Sequence, residues 1–205
     1  RATGDQFASG YHGRWSVAGF FARVNYNYKD KYMIEVNGRL DGSSRFPTDR
    51  LWGFFPSASA GWLISQEPWM EKLKPTLSFL KLRASYGMIG NQDVGTNAFL
   101  PIMEAISSGW LIGETIEKSY GLPRTISDGF TWEKVTTTNL GVDARFFKDR
   151  LGLSFDLYRR RTSDMITEGE ALPSSFGASA PKINFGELTT DGWELALDFN
   201  HVFPN

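Results

Sequence analysis

The 205-residue sequence has no cysteine and only two histidines. Without cysteine there are no disulfide staples, no thiolate metal sites and no cysteine nucleophile, and the redox compartment stays open. His12 and His201 stand near opposite ends of the chain, outside any metal-ligand spacing and beside no nucleophile motif, and are expected to be loop or interface residues. No metal, no cofactor and no catalytic residue is therefore expected. An excess of one charge is missing too: Lys+Arg 22 against Asp+Glu 23 gives −1, which points away from nucleic acid and from a polybasic membrane-surface binder. Long apolar runs are also missing. The longest uncharged stretch, Leu51 to Gln66, is broken by Pro56, Ser57, Ser59 and Ser65 and falls short of the ~20 apolar residues that a membrane helix needs. Arg1 opens a polar, glycine-containing segment rather than a signal-peptide core, so either a mature protein begins here or the chain is a piece of a longer one.

What is abundant is β chemistry. Aromatic residues make up 15% and there are 21 glycines, which suits a strand-and-turn protein with aromatic girdles. Period-two alternation predicts seven strands, near Trp15 to Tyr28, Tyr32 to Asp41, Phe54 to Ile64, Phe79 to Tyr86, Thr131 to Phe147, Leu151 to Arg161 and Gly192 to Phe199. In the second, Tyr32, Ile34, Val36 and Leu40 oppose Glu35, Asn37 and Arg39. In the last, Trp193, Leu195, Leu197 and Phe199 oppose Glu194, Ala196 and Asp198. By the same parity Arg83, Asp143, Arg145 and Asp156 belong with the polar set. Two architectures place a greasy face opposite a charged one: a soluble sandwich, and a membrane barrel whose charged face lines a watery lumen.

The connections bear on that choice. Lys29-Asp30-Lys31 and Lys148-Asp149-Arg150 are tight polar turns, and Ser65 to Ser78 carries a short helical turn started by Pro68. Gly42 to Gly53, Gly87 to Phe130 and Thr162 to Asp191 are long, and all three emerge at the other end of the sheet. Short turns at one rim and long loops at the other describe an antiparallel transmembrane β-barrel. An Arg or Lys on the lipid face at the midplane costs ~2–4 kcal/mol, and the apolar set is free of charge in the second, fourth, sixth and seventh strands except for Arg159 and Arg161 at the loop end. On this reading Glu35, Asn37, Arg39, Arg83, Asp143, Arg145 and Asp156 face the lumen. The runner-up is a soluble β-sandwich that binds carbohydrate.

Chemistry-bearing constellations are few. Asp143 and Asp156 are placed to meet across neighbouring strands as glycosidase carboxylates must, but lumen ion pairs with Arg145 or Arg160 are the plainer expectation. "GMIGNQDVG" (Gly87 to Gly95) lacks the Lys-Ser/Thr ending of a phosphate loop and reads as a strand running into a long loop. The amides of Asn91 and Gln92 suit sugar hydroxyls or peptide groups, and an Asx turn suits them equally. Trp52, Trp110, Tyr120 and Phe130 either stack on a ligand or pack loop on loop.

The stretches "DGSSRFP" (Asp41 to Pro47) and "WGFFPSASAGWLISQEPWM" (Trp52 to Met70) resemble the C-terminal barrel region of SusC/RagA-type TonB-dependent transporters. The likeness continues through "LKLRASYGMIGNQ" (Leu80 to Gln92), "FTWEKVTTTNLGVDARFFKDRLGLSFDLYRRRTSDMI" (Phe130 to Ile166), "LPSSFGASAPKINFGEL" (Leu172 to Leu188) and "DGWELALDFN" (Asp191 to Asn200). The resemblance implies a Gram-negative outer-membrane importer of oligosaccharides or peptides. It further implies power from the TonB complex and a SusD-like lipoprotein lid. The family's plug domain and TonB-contacting segment have no counterpart in these residues, and seven strands fall well below the ~22 of large plugged barrels. The whole of residues 1–205 is accordingly expected to be part of a barrel domain, without the plug.

Overall fold

The computed structural model describes residues 12–200, apart from 97, 104, 113–114, 124, 128 and 178–179. In chain order the strands are β1 (Val17–Tyr28), β2 (Tyr32–Ser43), β3 (Trp52–Leu63), β4 (Leu77–Asn91), β5 (Ala105–Ile112), β6 (Thr115–Tyr120), β7 (Glu133–Phe146), β8 (Leu151–Glu168) and β9 (Lys182–Phe199). Seven of them form one sheet in the order β1-β2-β3-β4-β7-β8-β9, every neighbouring pair antiparallel, while β5 and β6 form a separate hairpin. The large sheet matches the seven expected strands and is not closed on itself. The β5–β6 hairpin lies inside what the sequence marks only as a long loop. The expected Thr162 to Asp191 connection is mostly strand as well, since β8 and β9 pair as far as Glu168 with Lys182, leaving Gly169 to Pro181 as the loop.

Register sorts the side chains by face. Ile34 lies opposite Tyr26 and Ala60, Leu140 opposite Ala84 and Leu157, and Phe155 opposite Val142 and Leu195, which makes one face apolar from β1 to β9. The other face pairs Glu35 with Asn25 and Ser59, Asn139 with Ser85, and Asp156 with Glu194. Aromatic rings border the apolar face at both rims. Tyr28, Tyr32 and Trp62 stand in a row with centroids 6.4 and 6.1 Å apart, and Phe20 stacks on Trp52 at 6.0 Å. From Trp52 to Trp62 is roughly ten residues, or about 33 Å along the strand. A strand tilted by about 40° converts that to ~25 Å of height, the thickness of a barrel's apolar band.

The rim that carries Tyr28 and Trp62 has the tight turns. Lys29 and Asp30 have φ of 52° and 53°, and Lys31 N donates to Tyr28 O at 3.1 Å, a tight turn within the three-residue connection between the paired Tyr28 and Tyr32. Phe147, Lys148 and Asp149 are likewise left-handed, at 55°, 58° and 67°. None of the five is glycine, and each costs ~1–2 kcal/mol against a residue free of Cβ strain. The β3–β4 connection packs here too. Glu67 accepts from Tyr32 Oη at 2.8 Å, Trp62 Nε1 at 3.2 Å and Lys31 Nζ at 3.3 Å. The phenol, then the indole, then the ammonium hold its carboxyl below the ordinary glutamate range.

Candidate functional site

The polar face has a charged centre built by three strands. Arg83 on β4 donates from Nε to Asp143 Oδ2 at 2.7 Å and from a terminal nitrogen to Asp143 Oδ1 and Asp156 Oδ2, both at 3.0 Å. Ser154 Oγ donates to Asp143 Oδ1 at 2.7 Å. Gly141 lies directly opposite Arg83, and a Cβ there would come within 2.8 Å of the guanidinium carbon, so glycine leaves the space this planar group occupies. The two aspartates thus share a cation rather than a proton. Arg83 is their partner, where Arg145 or Arg160 was expected: Arg145 instead lies 5.7 Å over the Phe79 ring. Towards β1, Glu35 pairs with Arg23 at 3.6 Å, and Arg39 with Asp41 at 2.7 Å. Asn37 lies between them with its Oδ1 buried and without a hydrogen-bond partner.

At the long-loop rim an aromatic cluster holds the connections against the sheet. Phe46 from the β2–β3 loop lies 4.6 Å from Trp132 and 6.0 Å from Phe130, and Phe55 on β3 meets Trp132 edge-on at 5.5 Å. All four are buried. A Cβ at Gly90 would overlap the Phe55 ring, so β4 passes the cluster only as glycine. Trp132 Nε1 donates to Leu51 O at 3.3 Å. Asn184 on β9 accepts from Thr131 N at 2.9 Å and donates to Thr131 O and Asp164 O at 2.8 and 2.7 Å. Arg45 reaches Gln92 O at 3.1 Å while lying 4.4 Å over the Trp15 ring.

Above the cluster opens a cavity of about 850 Å³. Its floor is Val94, Phe99, Phe130 and Ile166, and its charged margin is Asp93, Glu133, Glu168 and Lys182. Among the described residues no group of three His, Cys, Asp or Glu has metal-binding geometry. A family model described as TonB dependent receptor-like, beta-barrel, matches residues 2–204.

The chain belongs to that family. It is 33% identical over 194 residues to TonB-dependent receptor P26 of Formosa agariphila, covering 95% of this chain and 19% of that protein. It is also 33% identical over 192 residues to TonB-dependent receptor SusC of Bacteroides thetaiotaomicron, covering 92% and 19%. Among solved structures, the RagAB peptide importer in its closed-closed state superposes with a TM-score of 0.78 at 26% identity, covering 93% of this chain and 20% of the other. The siderophore receptor PirA of Pseudomonas aeruginosa, at 13% identity and a TM-score of 0.55, shares the fold. The chain spans about a fifth of the length of the curated relatives it matches.

Within this TonB-dependent receptor segment the four loop residues singled out as ligand contacts do not form one site. Asn91 makes an Asx turn, its Oδ1 accepting from Asp93 N at 3.0 Å, while its amide donates to Glu133 at 3.3 Å. Gln92 follows with its Oε1 buried and without a hydrogen-bond partner. Trp110 is on the β5–β6 hairpin, largely exposed. Trp52 is on the opposite face, in the aromatic border against Phe20. Phe130 packs loop on loop. The sequence reading missed Phe46, Phe55 and Trp132 as a unit, along with the Asn184 clamp. The faint signals were Gly53 and Gly90, both of which clear the Phe55 ring from different strands.

Proposed function

We propose that this segment forms part of the wall and the outer loops of a TonB-dependent importer in the Gram-negative outer membrane. The observation that carries the reading is the pairing of two faces. One is apolar between aromatic borders ~25 Å apart, as lipid demands, its charges confined to the loop end, as in the Arg159–Asp191 and Arg161–Glu187 pairs of β8 and β9; the other is lined by ion pairs, as a watery lumen allows. Leu140 is 58% exposed and Leu197 64%, whereas a sandwich would bury both under a second sheet. Glu35, Asn37, Arg39, Arg83, Asp143, Arg145 and Asp156 then face the lumen, and Trp52 faces the outer lipid border. The cargo is an oligosaccharide or a peptide, met by the loop cavity and the Asn91, Gln92 and Trp110 region. A SusD-like lid outside and the TonB complex inside act through the whole transporter. We read the wall as non-catalytic, in keeping with its receptor family, and Arg83 pairs with both Asp143 and Asp156.

Sidedness tests this reading: this segment has no native thiol, and any cysteine elsewhere in the full-length protein is first replaced by serine. In the full-length protein on whole cells, Ser174→Cys, in the β8–β9 loop, should react with a membrane-impermeant maleimide once any lid is deleted. Asp149→Cys, in the β7–β8 turn, should react only after the outer membrane is permeabilised. Reaction of both on intact cells would argue that the sheet spans no membrane.

A further inference from the structure

We propose that the short-turn rim is a binding surface for anionic phospholipid headgroups, an inference that rests on the membrane reading above. The three turns form one continuous edge. Leu63 N donates to Lys31 O at 2.7 Å, Phe147 N to Thr76 O at 2.9 Å, and Ser78 Oγ to Asp149 Oδ1 at 2.9 Å. Along this edge lie six cations, Lys29, Lys31, Lys72, Lys74, Lys148 and Arg150, and four acids, Asp30, Glu67, Glu71 and Asp149.

The acids are engaged within the protein. Asp30 accepts from Asn27 Nδ2 at 2.6 Å, and Asp149 from Ser78. Glu67 takes the phenol, the indole and Lys31, and Glu71 faces Lys74 at 3.9 Å. Only two cations are used in doing so. Lys29, Lys72, Lys148 and Arg150 have no ion pair among the described residues, and because Asp30 and Asp149 keep their charge against neutral donors, the six cations and four acids leave the edge with a net charge of +2.

The neighbours of these cations select the ligand. Tyr28 lies under Lys29, whose Nζ is 5.2 Å from the ring centroid, Trp69 is 61% exposed, and Phe147 precedes Lys148. Aromatic rings beside ammonium and guanidinium groups at the edge of an apolar face match a molecule with acyl chains and a phosphate. A free anion or an acidic soluble protein would have no use for the apolar half.

The test uses the full-length protein, purified, delipidated and titrated with phosphatidylglycerol or phosphatidylcholine, with retained lipid read by native mass spectrometry. Each cation near an anionic headgroup layer contributes about fivefold. The native protein should retain phosphatidylglycerol over phosphatidylcholine by at least tenfold, and Lys29→Gln/Lys72→Gln/Lys148→Gln/Arg150→Gln should lose most of that ratio. Should the fourfold variant fail to fold, Lys148→Gln/Arg150→Gln must fall between the two. Equal retention of the two lipids by the native protein, or an undiminished ratio in the variants, overturns the proposal. Heat-modifiable gel mobility separates the causes. A folded, bilayer-embedded barrel without lipid preference defeats this inference alone, and a native chain that never enters bilayers defeats the membrane reading with it.

Discussion

Replacing Leu140 by arginine, and separately its neighbour Asn139, places the same charge on opposite faces of β7. Leu140 sits among Ala84 and Leu157 on the apolar face, about six residues above the Phe146 foot of the strand. At about 3.3 Å per residue and a tilt near 40°, that is ~15 Å of rise within a band of ~25 Å, close to the midplane. An arginine there should cost ~2–4 kcal/mol, a 30- to 700-fold fall in the folded ratio if folding is reversible. Asn139→Arg lies among Ser85 and Tyr158, where water and carboxylates are at hand, and should cost under about 1 kcal/mol. Urea titration of the full-length barrel folded into vesicles, followed by heat-modifiable mobility, reads both. Equal losses, or a larger loss from Asn139→Arg, would refute the assignment of faces and with it the lipid-facing reading.

Removing the shared cation with Arg83→Met should destabilise by ~1–2 kcal/mol, less than a fully buried pair because the Arg83 side chain is 36% exposed. Adding Asp156→Asn should recover part of the loss in the same titration, and no recovery would mean that charge is not the cause. Trp132→Ala should leave the strands protected from hydrogen exchange but speed proteolysis of the loop between Gln92 and Phe130, since a truncated buried Trp costs ~3–5 kcal/mol locally. The Glu67 clasp has a depressed folded pKa, so its contribution is complete at neutral pH and is lost as pH falls through and below the ordinary glutamate range. Protease cleavage of the β3–β4 connection should rise with acidification in the native protein, and Glu67→Gln should flatten that dependence.

The faces of the sheet were legible because alternation is a local property. Ile34, Val36 and Leu40 announce their side without any knowledge of their neighbours, and so do Leu195, Leu197 and Phe199. What escaped depends on adjacency or on broken alternation. Arg83 finds Asp143 because β4 pairs directly with β7, skipping the β5–β6 hairpin, and parity alone does not say which strands become neighbours. The upper half of β8 was hidden by register shifts around Asp164, whose φ is 57°. The strands of the β5–β6 hairpin are short, at eight and six residues, and Ser107, Ser108 and Gly109 interrupt the first, so they carry little periodic signal. The face of Trp52 was not legible either, because a loop-edge aromatic suits a membrane border and a binding site equally well until register places it, here stacked on Phe20.

Both ends of the connection between β4 and β7 are held: Arg45 grips the backbone at Gln92, and Asn184 takes both backbone groups of Thr131 beside the buried Phe130 and Trp132. That makes the 37 residues from Asp93 to Gly129 a segment with fixed anchor points at both ends, so a change of length between them leaves the wall register untouched, although Val94, Ala98 and Phe99 within it pack on the aromatic cluster. The engineering rule that follows is to cut after Phe99 and rejoin before Phe130, so that Val94, Ala98 and Phe99 stay packed on the aromatic lock.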